Sequence, residues 1–177
     1  MERPGRKRTA LSTVFKKATS EQLPEIYMMG YDAWGGSLEK AEYLLECGSS
    51  PKYKSGTWFV LEADLVPVSS LLVHGFSPWG KIQIRGIGSL ATAREFRNIG
   101  YGHQIVKRAV RYLYEHESAA VIFLFSDIDP LFYRSLGFRE LPERHQKVSQ
   151  SVLMAWTSPA IEASVFDVND ERLPRYF

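Results

Sequence analysis

The residues best suited to chemistry lie between Arg97 and His103, where the sequence reads Arg-Asn-Ile-Gly-Tyr-Gly-His at the start of a helical pattern. The first N–H groups of a helix have no partner within it, and the helix dipole makes that end positive. Such ends bind anions. Gly100 and Gly102 remove two side chains, so a bulky anion can approach the N–H groups of Asn98 to His103. A pyrophosphate group fits this arrangement.

Two other phosphate-binding motifs are excluded by the residues around this turn. The dinucleotide fingerprint needs a third glycine and a parallel sheet. Here Gln104 follows His103, and the preceding strands read as antiparallel. The loop that binds ATP needs Gly-Lys-Ser or Gly-Lys-Thr, which this turn lacks. A glycine pair that serves only helix packing stays open as an alternative.

The elements that must position this turn can be predicted from the pattern around it. A helix is predicted over residues 98–116, because its apolar residues share one face. Shorter helices are predicted over residues 20–34, 37–46 and 130–136. Strands are predicted from their branched and aromatic residues over residues 11–18, 57–63, 68–76, 81–92, 121–125, 138–141 and 148–156. This order predicts a mixed α/β (α+β) fold with a mostly antiparallel sheet.

Composition limits the class of protein. The 177 residues suit a flexible basic arm over residues 1–10, one domain over residues 11–156 and a tail over residues 157–177. A net charge of +2 is too small to indicate a nucleic-acid partner. The single cysteine, Cys47, allows neither an internal disulfide nor a cysteine-based metal site. A membrane-spanning helix needs about 20 apolar residues, and no apolar run in the sequence is that long. We expect a cytoplasmic protein that binds neither metal nor membrane.

The turn resembles the acyl-CoA motif of the GNAT superfamily of N-acetyltransferases, Arg/Gln-x-x-Gly-x-Gly/Ala. Arg97, Gly100 and Gly102 match the motif, and the segment Leu90 to Thr92 matches the end of the fourth strand of the family. A second signal of the family, an aromatic-Tyr pair followed by Leu-Gly-Phe, is also present, at Phe132-Tyr133 and Leu136-Gly137-Phe138. The resemblance covers roughly residues 11–156.

The resemblance implies a sheet of about seven strands that is splayed at the fourth strand, where a bulge leaves backbone groups free for the pantetheine arm of acetyl-CoA. Gly86 and Gly88 agree with this, because glycine within a strand often marks a bulge or the close approach of a ligand. Arg97 then orients the loop or contacts phosphate. The residues implied in binding acetyl-CoA are Leu90, Ala91, Thr92, Arg97, Asn98, Ile99, Gly100, Tyr101, Gly102 and His103.

Acyl transfer needs an acid for the leaving thiolate, donors for the oxyanion and a neutral amine. By resemblance, Tyr133 is the general acid, since a phenol with a pKa of about 10 keeps its proton at neutral pH; a packing role is the alternative. A backbone N–H between Leu90 and Thr92 serves the oxyanion. The fourth strand reads Arg-Gly-Ile-Gly and carries no carboxylate for a base. Asp127 is the candidate base, and a water relay without a dedicated base is the alternative. The weaker candidates are Glu62, His74 and Asp129.

The acceptor pocket is expected at the loop after the first helix, with Tyr31, Asp32 and Trp34 as substrate-binding residues; core packing is the alternative for Trp34. The predicted function is acetyl transfer from acetyl-CoA to a primary amine, on a small molecule, a lysine or a peptide N-terminus, by direct attack in a ternary complex. A catalytically silent acyl-CoA-binding module is the alternative. The sequence also allows a homodimer.

Overall fold

The computed structural model of the chain describes residues 12–161 and 170–177. The arm expected over residues 1–10 lies outside the described residues, and so does the middle of the tail expected over residues 157–177. The boundaries of the arm and tail therefore stay predictions. No helix in the described ranges is long and apolar enough to cross a membrane.

One seven-stranded sheet organises the described chain, in the order β1-β2-β3-β4-β5-β7-β6. Neighbouring strands are antiparallel except for β4 and β5, which pair in parallel. The predicted mixed, mostly antiparallel sheet is confirmed. The strands are β1 (Thr13–Lys17), β2 (Thr57–Ala63), β3 (Val66–Gly75), β4 (Gln83–Thr92), β5 (Ala119–Ser126), β6 (Arg139–Glu140) and β7 (Val152–Thr157).

The helices flank both faces of this sheet. They are α1 (Leu23–Met28), α2 (Tyr31–Trp34), α3 (Lys40–Ser49), α4 (Pro51–Ser55), α5 (Tyr101–Glu117) and α6 (Leu131–Arg134). The single helix predicted over residues 20–34 is wrong, because Gly30 separates α1 from α2 and the ring of Trp34 occupies the place where a side chain at Gly30 would begin. The helix predicted over residues 37–46 instead continues through Gly48 to the end of α3.

The long helix α5 is confirmed, but it begins three residues later than predicted. Asn98 has a φ of 62° and Gly100 a φ of 94°, so the backbone before Tyr101 is left-handed and cannot be helical. The apolar face of α5 packs on one face of the sheet, with Ile105, Ala109 and Leu113 buried against β2, β3 and β5. This packing places the start of α5 beside the end of β4.

The opposite face of the sheet is covered in two separate parts. Trp58 and Val60 of β2 pack with Ile26 of α1 in one cluster, and Phe123 of β5 packs with Leu153 of β7 in another. Because side chains alternate across a strand, both clusters face away from α5. The boundary between the two clusters falls at β4.

The sheet opens between β4 and β5. Their pairing ends at Gly86 and Phe123, although β4 continues to Thr92. A bulge accompanies the opening. Gly88 pairs with Leu72 and Ala91 pairs with Ser70, so β4 advances three residues while β3 advances two. The bulged residue Ser89 has a φ of 48°, which non-glycine residues seldom adopt. The predicted splay at the fourth strand is therefore confirmed, and the edge of β4 that faces β5 has no strand partner beyond Gly86.

Candidate active site

A cleft of about 430 Å³ fills the opening between the two strands. Residues 87–92 of β4 form one wall, and Phe125, Asp127 and Tyr133 form the opposite one. Trp34 closes the cleft from the α2 side. The opening thus brings an unpaired strand edge, a carboxylate and a phenol into one space.

The loop before α5 lies at one end of this cleft and presents free backbone donors. Among the described residues, the backbone N–H groups of Asn98 to His103 donate no hydrogen bond. Gly100 is exposed, and a Cβ there would have no atom within 4 Å. Because these N–H groups sit at the positive end of a 17-residue helix, the loop can hold a phosphate group.

The end of β4 is held against the start of α5 by short contacts. A Cβ on Gly102 would lie 3.3 Å from Oγ1 of Thr92, so a larger residue would require a shift of a few tenths of an ångström at this contact. Ser69 of β3 donates to the carbonyl of Ala91, with 2.9 Å between the oxygens, and its Oγ is also 2.9 Å from Oγ1 of Thr92. The end of β4 is therefore in close contact with both β3 and the start of α5.

Arg97 connects the loop to the first helices. Its Nε donates to the carbonyl of Thr92 at 2.8 Å, and its Nη2 donates to the carbonyl of Met29 at 3.2 Å. Nη1 and Nη2 also form a bidentate pair with the carboxylate of Asp32, at 2.6 and 2.8 Å. The hydrogen bond from Arg97 lowers the pKa of Asp32. These contacts connect the loop to β4 and to the first two helices, and the role of Arg97 toward a co-substrate stays a prediction.

Tyr133 lies on α6 at the wall of the cleft and is 7% exposed. Its ring packs edge-on against Phe132, with 4.8 Å between ring centroids, and against Phe138 at 6.0 Å. Burial raises the pKa of the phenol, and the charge of Asp127 raises it further. No hydrogen bond among the described residues involves the hydroxyl group of Tyr133. The site therefore holds a protonated phenol that is free to donate.

Asp127 follows the end of β5 and is exposed to solvent. Its carboxylate accepts hydrogen bonds from the hydroxyl of Ser151 and, at 3.2 Å, from the hydroxyl of Tyr176. Among the described residues that line the cleft, Asp127 supplies the only carboxylate. It is therefore the negative charge available beside Tyr133.

The other candidate bases have different surroundings. Glu62 of β2 is 5% exposed and pairs with Lys16 at 2.8 Å, away from the cleft. The carboxylate of Asp129 accepts from the backbone N–H of Leu131 at 2.9 Å and so begins α6. His74 of β3 lies under the splay, and its buried Nε2 has no hydrogen-bond partner. Burial lowers the pKa of His74 to about 4, so its imidazole is neutral at neutral pH.

The structure separates the three residues expected to bind the acceptor. Trp34, 43% exposed, is the one that lines the cleft. The hydroxyl of Tyr31 donates to the carbonyl of Leu38 at 2.6 Å, so its side chain braces the loop between α2 and α3. Asp32 is paired with Arg97.

Two residues that the sequence analysis missed lie in or next to the cleft. Ser89 carries the bulge, and Phe177 packs against Gly86 and Gly88 of β4. The two glycines did signal a close approach, but the residue that approaches comes from the far end of the chain. Within residues 12–161 and 170–177, no three His, Cys, Asp or Glu side chains are grouped as metal ligands.

Neither a family model nor a curated protein matches this sequence. Solved structures match in fold. N-acetylglutamate synthase from Neisseria gonorrhoeae, complexed with coenzyme A and N-acetyl-glutamate, aligns with a TM-score of 0.60 at 17% identity, over 84% of this chain and 36% of that one. PaiA N-acetyltransferase from Thermoplasma acidophilum, in complex with coenzyme A, aligns with a TM-score of 0.59 at 13% identity, over 84% and 100%. This is the GNAT fold.

A third structure with the GNAT fold is the GNAT family acetyltransferase from Brucella melitensis in complex with acetyl-CoA. It has a TM-score of 0.57 and 14% identity, over 84% of this chain and 91% of that one. The present chain spans about a third of the length of the N-acetylglutamate synthase and of a probable N-acyltransferase from Enterococcus faecalis, with 36% and 33% of those chains covered. The likeness at these identities extends to the GNAT fold.

Proposed function

We propose that this chain is an acetyl-CoA-dependent N-acetyltransferase that acetylates a primary amine. The observation that carries the proposal is the cleft at the splay, which is lined by the protonated phenol of Tyr133 and ends at Thr92 and Arg97, next to the unpartnered N–H groups at the start of α5. The neighbours of the same fold that were solved with coenzyme A or acetyl-CoA support the choice of co-substrate.

The binding residues divide by the part of the co-substrate they suit. The N–H groups between Asn98 and His103 suit the pyrophosphate, because they are free and lie at a positive helix end. The unpaired edge of β4 from Leu90 to Thr92 suits the amide groups of the pantetheine arm, since both present backbone donors and acceptors. When bound, acetyl-CoA supplies the acetyl thioester. Arg97 acts through the loop and holds it against Asp32 and Met29.

The proton transfers follow from the two polar groups of the cleft wall. Tyr133 donates its proton to the thiolate sulfur as the carbon–sulfur bond breaks and the amine nitrogen bonds to the acetyl carbon. Asp127 attracts the ammonium form of the acceptor and takes its proton, directly or through a water molecule, and releases it to solvent. Burial keeps Tyr133 protonated up to alkaline pH, so the acid is ready at neutral pH.

Trp34 and Asp127 indicate how the acceptor is held. The indole ring of Trp34 is exposed at the mouth of the cleft and can cover an apolar part of the acceptor. Asp127 supplies the charge that an ammonium group needs. A small-molecule amine or a peptide amine is the proposed acceptor, and one neighbour of the same fold is complexed with N-acetyl-glutamate, the acetylated form of a small-molecule amine. The cytoplasm, where acetyl-CoA is available, is the proposed location.

The proposal is tested by measuring free thiol release from acetyl-CoA against a panel of small amines and peptides. The matched variants are Tyr133→Phe, which removes the acid, and Tyr114→Phe, which removes an exposed phenol on α5. We expect Tyr133→Phe to lower kcat by about 100- to 10,000-fold and Tyr114→Phe to leave it unchanged. Calorimetry with coenzyme A reports binding separately.

The outcomes separate the two functions that the sequence left open. Turnover that depends on Tyr133 supports the transferase. Tight binding of coenzyme A without acetylation of any amine contradicts it and indicates a silent acyl-CoA-binding module. No binding of coenzyme A, with the protein folded, contradicts both.

A further inference from the structure

An aromatic slot lies on the floor of the splay, on the face of the sheet opposite α5. We call it the Gly86 slot, because Gly86 of β4 forms its base. The ring of Phe177 fills it, with ring centroids 5.0 Å from Phe76, 5.1 Å from His74 and 5.5 Å from Phe125. Ring contacts at these distances and tilts are the favourable edge-to-face type. The slot thus surrounds one planar ring from three sides.

The slot exists because residue 86 has no side chain. A Cβ on Gly86 would lie 2.7 Å from the ring of Phe177 and 2.7 Å from the ring of Phe76. Real Cβ atoms do not approach that closely, so any larger residue would close the slot. By contrast, a Cβ on Gly75, at the end of the neighbouring strand β3, would meet no atom within 4 Å. The space beside Gly86 is therefore taken by the two rings, whereas the space beside Gly75 is open.

The slot lies next to the active-site cleft. Phe125 forms a wall of both, and Gly88 lines the cleft two residues after the base of the slot. The carbonyl oxygen of Phe177 lies 3.6 Å from the position that a Cβ on Gly88 would take. A ring in the slot with a short arm would therefore place the end of that arm at the point where β4 and β5 separate.

Phe177 is held in the slot by contacts that an acceptor can replace. Phe177 itself is half-buried, and the neighbouring Tyr176 is 52% exposed. Tyr176 contributes a hydrogen bond to the carboxylate of Asp127 at 3.2 Å and a ring contact with Phe125 at 5.1 Å. Asp127 is the group that an ammonium ion would approach, so an arriving amine competes for the same carboxylate.

We propose that the Gly86 slot binds the aromatic ring of the acceptor, and that Phe177 occupies the slot when no acceptor is bound. The acceptor class is then a primary amine on a short alkyl arm attached to an aromatic ring. This inference rests on the proposed acetyl transfer, because the arm points into the cleft assigned to that reaction. Phe177 acts as an internal competitor of the acceptor.

The test measures binding of phenethylamine and of its saturated analogue cyclohexylethylamine to the protein saturated with coenzyme A, by calorimetry. The variants are Phe177→Ala, which empties the slot, Gly86→Ala, which closes it, and Gly75→Ala as the matched control in the same sheet. If Phe177 fills the slot about nine-tenths of the time, the slot is open to an amine only about one-tenth of the time. Removal of the Phe177 ring then tightens binding of an amine that uses the slot about 10-fold. We expect this gain for phenethylamine and none for the saturated analogue, because its thicker ring does not fit the slot and so does not compete with Phe177.

Gly86→Ala is expected to abolish the preference for the aromatic amine, while Gly75→Ala keeps it. The inference is overturned if Phe177→Ala weakens binding of phenethylamine, since Phe177 would then be a wall of the acceptor site. Equal affinities for the two amines in Phe177→Ala also overturn it. Thiol release from acetyl-CoA in the same samples reports on the transferase itself, so a selective slot without turnover contradicts the proposed function and not the slot.

Discussion

His74 is expected to make the protein sensitive to acid, and the size of the effect follows from its surroundings. The side chain is 6% exposed, and its Nε2 has no hydrogen-bond partner to stabilise a positive charge. Burial, and to a smaller degree the charge of Lys52, lowers the pKa from 6.5 to about 4. In the unfolded chain the imidazole is hydrated and titrates near its ordinary value.

The sign of the effect follows from the lowered pKa. Above pH 6.5 the imidazole is neutral in both states, and its titration does not affect stability. As the pH falls from 6.5 to 4, the unfolded chain binds a proton that the folded chain excludes, so the free energy of unfolding decreases. A pKa difference of about 2.5 corresponds to about 3 kcal/mol in full, of which about 2.5 kcal/mol is reached by pH 4.5.

The assay is urea unfolding at pH 7.5 and pH 4.5 of the wild type, of His74→Gln and of the control His116→Gln. Glutamine is uncharged at both pH values, and carboxylates that titrate in this range affect all three proteins alike. We expect the stability of His74→Gln relative to the wild type to rise by about 2.5 kcal/mol between pH 7.5 and 4.5. His116 is exposed, so its variant should follow the wild type. If the stability difference between His74→Gln and the wild type is the same at both pH values, the conclusion that His74 is buried as a neutral imidazole is refuted.

Three further outcomes follow from the site. Arg97→Ala removes the contacts that hold the loop, so kcat/KM for acetyl-CoA should fall about 10- to 100-fold; Asp32→Asn should cost less, because the bonds of Arg97 to the two carbonyls remain. An unchanged kcat/KM would exclude the orienting role. Gly100→Ala should lower the free energy of unfolding by about 1 kcal/mol in urea, since φ is 94°; no loss would contradict that backbone. Ser69→Ala should cost about 1 kcal/mol in the same assay, because its buried hydroxyl contacts Ala91 and Thr92; a neutral result would show that these contacts do not stabilise β4.

The sequence by itself determined the elements whose signals are local. The apolar stripe of α5 and the branched residues of β2 and β5 repeat at the spacing of their own secondary structure, so these elements were predicted within a few residues. The glycine pair before α5 is also a local signal, and the prediction that this loop binds an anion rests on it. The helix boundaries were less accurate. The left-handed backbone at Asn98 delays the start of α5, and Gly30 interrupts the first helix where Trp34 packs on it.

The tertiary structure alone decided which distant residues meet at the cleft. The pair of Arg97 with Asp32 joins residues 65 positions apart, and no local pattern in either segment indicates the other. Gly86 signalled a close approach, but only the path of the chain brings Phe177 there. Local periodicity depends on the geometry of one helix or strand, whereas the cleft depends on how strands from the whole chain pair and separate. The position of the loop at the start of α5 could therefore be predicted from the sequence, whereas the contacts of Arg97 and Phe177 could not.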